Sequence, residues 1–455
     1  MREKLSRAEW CALGFAVLVA HGFLLHEWLY PSSYDAGLYL QIAHELATNG
    51  LFHRYVAAEM RTYGYPYFLS FVVRGAAASG LPFQVAVFEL QLLLYLGAVF
   101  FLRGALIRVW PLAARIAFCG LLANYYVLIY TPTTLTESVS LTLLVFIAGC
   151  WLRVYQRSGT LWPLVAGSLA AGYAMMVRPG SAFMVATWIV GLVIIALRKR
   201  PGAVRAAVNT ALVATALVLP ALPQLANNIA FFHKRTPLVY ADLGMMQQVW
   251  GIQNIKYATG MPPVPRGAIY YLSPLWQGTS IDTKSPWRWY VDNPGRGVLT
   301  LAIHTFNLTD QDLLFTYSRD LHPWYRVPLG VVNHGVVALG LIGLVLLGRR
   351  VVAQGDAAAI DAFALMLVLM GANLAMYAWT AVEMRFGAVV LLILFPLSGY
   401  AATRLWSERR SRTLLAVGLG IGLYILAALL LSNWVREQSE LIREARTAPA
   451  GNITP

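Results

Sequence analysis

Charge is what this sequence has least of. Only 12% of its 455 residues are Asp, Glu, Lys or Arg, about half the ~25% usual in soluble chains. Cysteine is nearly absent as well. The three present, Cys11, Cys119 and Cys150, all lie in apolar segments, so no disulfide framework braces an external domain. The sequence contains no GxxxxGK(S/T), HExxH, CxxC or GxSxG, which leaves nucleotide hydrolysis, zinc proteolysis and α/β-hydrolase chemistry without support. Basic residues outnumber acidic ones, 35 to 21. They are spread between apolar runs instead of forming one patch, which is the signature of membrane orientation and not of a nucleic-acid partner.

What the sequence has in quantity is hydrophobic residues, 58% of the chain. Windows of about 19 residues give eleven candidate spans, near 10–29, 82–102, 115–131, 136–152, 161–177, 181–197, 206–226, 326–347, 358–379, 386–403 and 413–433. The fold class is therefore an all-α polytopic membrane protein with about 11 transmembrane helices. The first run is too long for a cleaved leader and reads as an anchoring span. With the N-terminus in the cytoplasm, Arg103, Arg108, Arg115, Arg153, Arg157, Arg198, Lys199, Arg200, Arg205, Arg349, Arg350 and Arg404 fall inside, and fewer cations fall outside. The segmentation is an N-terminal membrane module over 1–225, an external cap over 226–325, further spans over 326–433 and an external tail over 434–455.

Two external segments exceed any connector. The first, 30–80, runs "YPSSYDAGLYLQIAHELATNG" into "RTYGYPYFLSFVVRG". After Asp35, the residues Leu38, Ile42 and Leu46 recur at helical spacing, which predicts a helix lying in the interface with one apolar side. Asp35 itself suits two roles: a helix N-cap, or an acid at a reactive boundary. The second segment carries "MPPVPRGAIYYLSPLWQG" and "KSPWRWYVDNPGRG"; so many aromatic residues predict a small folded cap. Further polar groups stand at the mouths of spans: Glu137 in "TPTTLTESVS", Arg178 in "MMVRPGS", Lys234 and Arg235 in "FFHKRTP", and Glu383 and Arg385 in "AVEMRFG". Taken singly, an arginine there reads as snorkelling to headgroups. Inside the membrane, Glu89 calls for a neutral or paired state, and His21 lies at a comparable depth.

Together these pieces resemble the GT-C superfamily of integral-membrane glycosyltransferases. "SYDAGLYLQIAHELATNG" is similar to that family's first external loop, where an acid precedes a helix. "RTYGYPYFLSFV" is similar to the stretch that follows in relatives of protein O-mannosyltransferases and lipid A aminoarabinose transferases, with Tyr63 where many members have Pro. "TLTESVSLTLLV", "MMVRPGS" and "EMRFGAVVLLILFPL" are similar to later TE, RP and R(Y/F) signatures, in family order.

The resemblance implies sugar transfer at the outer, periplasmic face of the cytoplasmic (inner) membrane. The donor would be a polyprenyl-phosphate-linked sugar (a mannose, a pentose or an aminosugar). The acceptor would be a hydroxyl on a glycan, on lipid A or on a secreted protein such as a pilin. Asp35 falls at the family's catalytic acid. A single acid stands there, with Tyr34 before it, so the general-base role rests on Asp35 alone. The reading requires no cofactor, and no motif supports a divalent metal. Arg61, Arg178 and Arg385, followed by Lys234 and Arg235, are the candidates for holding the donor phosphate, because guanidinium forks onto phosphate oxygens. Tyr39, Glu59 and Glu137 are assigned to orienting the substrate or the arginines. Two rival readings stand beside this one: a flippase for lipid-linked sugars, which Glu89 favours, and an O-antigen ligase or polymerase.

Overall fold

The computed structural model describes residues 4–27, 35–53, 61–157, 160–237, 243–260, 267–310, 317, 325–408 and 411–440. The first half of the chain is helical throughout: α1 (Arg7–Glu27), α2 (Asp35–Asn49), α3 (Gly64–Ser79), α4 (Phe83–Leu106), α5 (Pro111–Leu122), α6 (Tyr125–Leu128), α7 (Thr136–Gln156), α8 (Leu161–Val177), α9 (Ala182–Lys199), α10 (Ala203–Val218) and α11 (Leu222–Phe232). Next comes α12 (Leu243–Gln253), then a hairpin of β1 (Asn254–Gly260) and β2 (Gly267–Leu272). The chain ends in α13 (Arg288–Asp292), α14 (Pro294–Asn307), α15 (Arg326–Gln354), α16 (Ala357–Ala378), α17 (Ala388–Glu408) and α18 (Ser411–Glu437).

Among the described residues, nine helical segments are long and apolar enough to cross a membrane. They begin with α1, α4, α7, α9 and the run Ala203–Phe232, and continue through α15, α16, α17 and α18. This is the make-up of a polytopic helical membrane protein. The other two expected spans fall on shorter apolar helices, α5 and α8. The expected span 115–131 stops early because Asn124 ends the helix. Its side chain accepts a hydrogen bond from Tyr126 N–H at 3.1 Å and starts the single turn of α6. In "MMVRPGS", Arg178 is extended and Pro179 opens a short 3-10 turn before α9, which separates that helix from α8.

The chain forms two compact units: 1–240 with 344–372 and 395–400, and 241–343 with 373–394 and 401–455. In the first, α4, α7 and α8 pack in succession around Cys150, Trp151, Ala171 and Trp188. Helices α2 and α3, which lie in the stretch read as interfacial, pack on each other. The face read from sequence is the one that is covered: Ile42 and Leu46 are buried against Tyr63 and Met176, with Leu38 alongside. Each such aliphatic side chain contributes ~1.5–3 kcal/mol when fully buried. Gly64 is required at the start of α3, since any Cβ there would run into the backbone of Met176 and Val177. The buried Arg103, in the last turn of α4, pairs with Glu9 of α1, Nε to Oε1 at 2.5 Å.

The second unit departs from a purely helical reading. Strands β1 and β2 are antiparallel, pairing Lys256 with Tyr271 and Gly260 with Gly267, with an irregularity between Asn254 and Lys256. Ile255, Ala258, Ile269 and Tyr271 of this hairpin are buried with Ile303 and Val435. Strand β2 alternates, with Ile269 and Tyr271 covered and Ala268 and Tyr270 open, whereas β1 is covered on both faces.

Candidate active site

Asp35 is the first residue of α2, where a carboxylate faces the positive end of the helix dipole. Its partner is Arg61, just ahead of α3, and the two side chains form a close ion pair. Tyr39 lies one turn along α2 from Asp35, on the same face. The Arg61 guanidinium stands 5.7 Å from the centre of its ring. Tyr39 in turn meets Tyr65 edge-on, with centroids 5.3 Å apart. Asp35, Tyr39 and Arg61, three residues singled out from the sequence, are therefore one cluster. Glu59 lies outside the described residues.

A second acid–arginine pair joins it through Tyr65. Burial, then the charge of Glu137 and the neighbouring Tyr39, push the Tyr65 hydroxyl well above its ordinary range. Arg178 Nη1 donates to Glu137 Oε1 at 2.6 Å, and the Glu137 side chain is 1% exposed. Gln91 of α4 holds the segment leading to Glu137: its amide donates to the carbonyls of Thr131 (2.8 Å) and Thr133 (3.0 Å) and lies 3.4 Å from the Tyr65 hydroxyl. The sequence reading did not single out Tyr65 or Gln91. Their only local signal was a tyrosine in "GYP" and a glutamine in an otherwise apolar span.

Lys234 and Arg235 follow the left-handed His233 that ends α11. Asn228 receives the Lys234 N–H at 3.1 Å and donates its amide to Thr236 O at 2.7 Å. Gln224, one turn earlier, donates to Asn228 and accepts from Tyr63 N–H at 2.8 Å. A hydrogen-bond chain thus runs from the basic turn to the start of α3, two residues from Arg61.

Arg385 belongs to the second unit. It pairs with Glu383 through Nε, and its guanidinium lies 4.7 Å from the Tyr317 ring centre. The Tyr257 hydroxyl is pushed well above its ordinary range by burial and by Glu383. All three ranked arginines are therefore matched to a carboxylate. They differ in how much of the side chain is open: 26% for Arg61, 16% for Arg178 and 8% for Arg385. Among the described residues, no three His, Cys, Asp or Glu side chains gather into a group able to hold a metal ion.

No protein-family model matches the chain, and no curated protein matches it in sequence. Among solved structures, it is similar to the archaeal oligosaccharyltransferase AglB from Archaeoglobus fulgidus, in complex with an inhibitory peptide and a dolichol-phosphate. That similarity has a TM-score of 0.49 and 10% identity, covering 94% of this chain and 55% of that one. The apo form of the Archaeoglobus fulgidus oligosaccharyltransferase gives a TM-score of 0.49 and 12% identity, over 93% of this chain and 54% of that one. The chain spans about half the length of these proteins.

Chemically, the first unit offers a partly open carboxylate and a partly open guanidinium in contact, lined by tyrosines. A carboxylate can take a proton from a hydroxyl within hydrogen-bond reach. A guanidinium in a water-poor site can stabilise charge developing on a leaving phosphate.

Proposed function

We propose that this protein is a membrane glycosyltransferase that moves a sugar from a polyprenyl-phosphate donor to a hydroxyl acceptor. The observation that carries the reading is the Asp35–Arg61 pair at the head of α2, inside the stretch that resembles the GT-C first loop. Asp35 is the general base. The acceptor oxygen attacks the anomeric carbon and its proton passes to the Asp35 carboxylate. The bond between the anomeric carbon and the phosphate oxygen breaks, and the electron pair leaves on the lipid phosphate. Arg61, the most open of the three arginines, receives that charge first. Arg178, in the same unit, backs it up, and Lys234 and Arg235 add positive charge; Arg385, in the second unit, is assigned to the donor phosphate on its R(Y/F) signature. Tyr39 and Glu137 orient the two reacting partners. The reaction takes place on the outer face of the cytoplasmic membrane, with the lipid chain in the bilayer.

The flippase reading drew on Glu89. That residue lies 3.5 Å from His21 Nε2, while His21 Nδ1 is 2.8 Å from Val17 O. Such a pair meets the membrane cost of Glu89 without a translocation role.

The test uses membranes carrying the protein, a radiolabelled polyprenyl-phosphate sugar and a series of hydroxyl acceptors. Asp35→Asn is expected to lower transfer by about 10²–10⁴-fold, the usual worth of a general base. Asn still caps a helix, so full activity in this variant would assign Asp35 to capping and end the proposal.

A further inference from the structure

The second unit holds a group of buried charges that the transfer chemistry does not use. Lys256, on β1, reaches Asp310 with Nζ 3.3 Å from Oδ2, and each side chain is 1% exposed. His334 of α15 places Nε2 3.3 Å from the other carboxylate oxygen, and Ser432 of α18 donates its hydroxyl to Oδ2 at 3.0 Å. Aromatic rings wall the group: Tyr271 under the Lys256 ammonium at 5.7 Å, Phe306 stacked on His334, and Tyr424 against the His334 edge. Burial by itself pushes the Asp310 carboxyl up, but Lys256, then His334 and Ser432, bring it below the ordinary carboxylate range. A buried lysine ammonium is tolerated only where it is paired. The strand that carries Lys256 is therefore fixed to Asp310.

The opposite side of the same strand meets the Arg385 group. Successive residues of a strand point to opposite faces, so Lys256 and Tyr257 face different neighbours. Tyr257 N–H donates to Val382 O at 2.9 Å, and Tyr317 N–H donates to Thr259 O at 3.3 Å. Val382 directly precedes Glu383, the acid paired with Arg385, and Tyr317 is the ring on which the Arg385 guanidinium rests. The acidic and the aromatic neighbour of Arg385 are thus both hung on the backbone of β1. One is held at Tyr257 and the other at Thr259.

We infer that Lys256 and Asp310 are positioning residues: by anchoring β1, they set the direction in which Arg385 presents its guanidinium to an anion. The identity of that anion as a lipid phosphate rests on the proposed function. The anchoring itself does not.

The experiment uses the full chain in nanodiscs, with Lys256→Met, Lys256→Arg and the double variant Lys256→Met with Asp310→Asn. The double variant leaves no unpaired buried charge, which is the main cost of deleting one partner, and the carboxamide at position 310 keeps Ser432 and His334 beside it. Two quantities are read: amide hydrogen exchange over 254–260 and 381–387, referenced to 161–199, and the concentration of a polyprenyl monophosphate giving half-maximal thermal stabilisation. In the double variant, exchange over 381–387 is expected to rise about tenfold with 161–199 unchanged. The half-maximal lipid concentration is expected to rise several-fold, and Lys256→Arg is expected to restore much of both. Exchange over 381–387 identical to the unaltered protein overturns the inference. So does a rise spread evenly over the whole second unit, because that marks a stabilising pair and nothing more. If the unaltered protein ignores the lipid phosphate, the assignment of Arg385 to a phosphate fails, and the exchange result still decides the anchoring.

Discussion

Arg61 stands 26 positions after Asp35 and closes an ion pair with it across the gap between α2 and α3. The two side chains are 26% and 17% exposed, open enough to meet a substrate and covered enough to be held in place. One residue is assigned to the proton and the other to the phosphate, so their substitutions separate kinetically. Arg61→Ala is expected to raise KM for the polyprenyl-phosphate sugar, and Asp35→Asn is expected to lower kcat with a smaller change in KM. Initial rates over a donor series in nanodiscs distinguish the two. A fall in kcat alone for Arg61→Ala removes it from donor binding.

Arg178 and Glu137 make a more buried pair. Removing one partner strands the other charge, at a cost of about 3–5 kcal/mol. Arg178→Ala is therefore expected to melt well below the unaltered protein, and Glu137→Gln with Arg178→Gln together to recover most of the loss. Melting curves in one detergent check this. If the double variant is as unstable as the single, the pair is not what holds the starts of α7 and α9.

His304, on α14, makes stability depend on pH. Burial drives its imidazole below the ordinary value, against hydrogen bonds to the carbonyls of Ala378, Asn254 and Gly251. The unfolded chain takes up a proton first as pH falls through ~6.5, while folded His304 stays neutral. Stability is thus full above that value and declines as pH drops below it, until the lower folded value is reached. Thermal midpoints between about pH 7.5 and pH 5 are expected to fall less steeply in His304→Gln. An unchanged slope would place the dependence elsewhere.

Gly387 follows Arg385 in a short turn, and a Cβ there would overlap the carbonyl of Leu308. Gly387→Ala is expected to cost ~1–3 kcal/mol, as overpacking does, and to weaken donor binding by displacing Arg385. Gly14, inside α1, where an added Cβ meets open space, is the control: Ala at that position is expected to leave KM unaltered and not to lower melting.

The parts of this fold that were legible in the sequence are those governed by one-dimensional periodicity. Each of the eleven apolar runs holds a helix among the described residues, and Leu38, Ile42 and Leu46 did mark the packed face of α2. What escaped was tertiary. The run around 115–131 is interrupted because a single Asn124 side chain caps a new turn, and hydropathy averaging cannot see a cap. The hairpin was hidden because "NIKYATG" and "GAIYYL" are short, and the Pro and Trp around them read simply as a cap. Candidate site residues were recognisable as polar groups at span ends, but not their pairings: Glu137 and Arg178 are 41 positions apart. Lys256 gave no sign of burial, because the partner that permits it is 54 positions away.

Helix α18 has two different judges. Along most of its length Leu415, Leu419, Leu423, Leu426 and Leu430 stand open on its surface, whereas Ser432 and Val435 near its end are covered, with Ser432 on Asp310 and Val435 against the hairpin. The leucine stretch has only to be greasy, so any large aliphatic residue serves at those positions. The last two turns must fit a particular shape and donate a particular hydrogen bond. A helix built this way is free to drift at its open leucines, while Tyr424, Ala428, Ser432 and Val435 stay fitted to their neighbours, and its tip is where the bilayer's requirements give way to the protein's own.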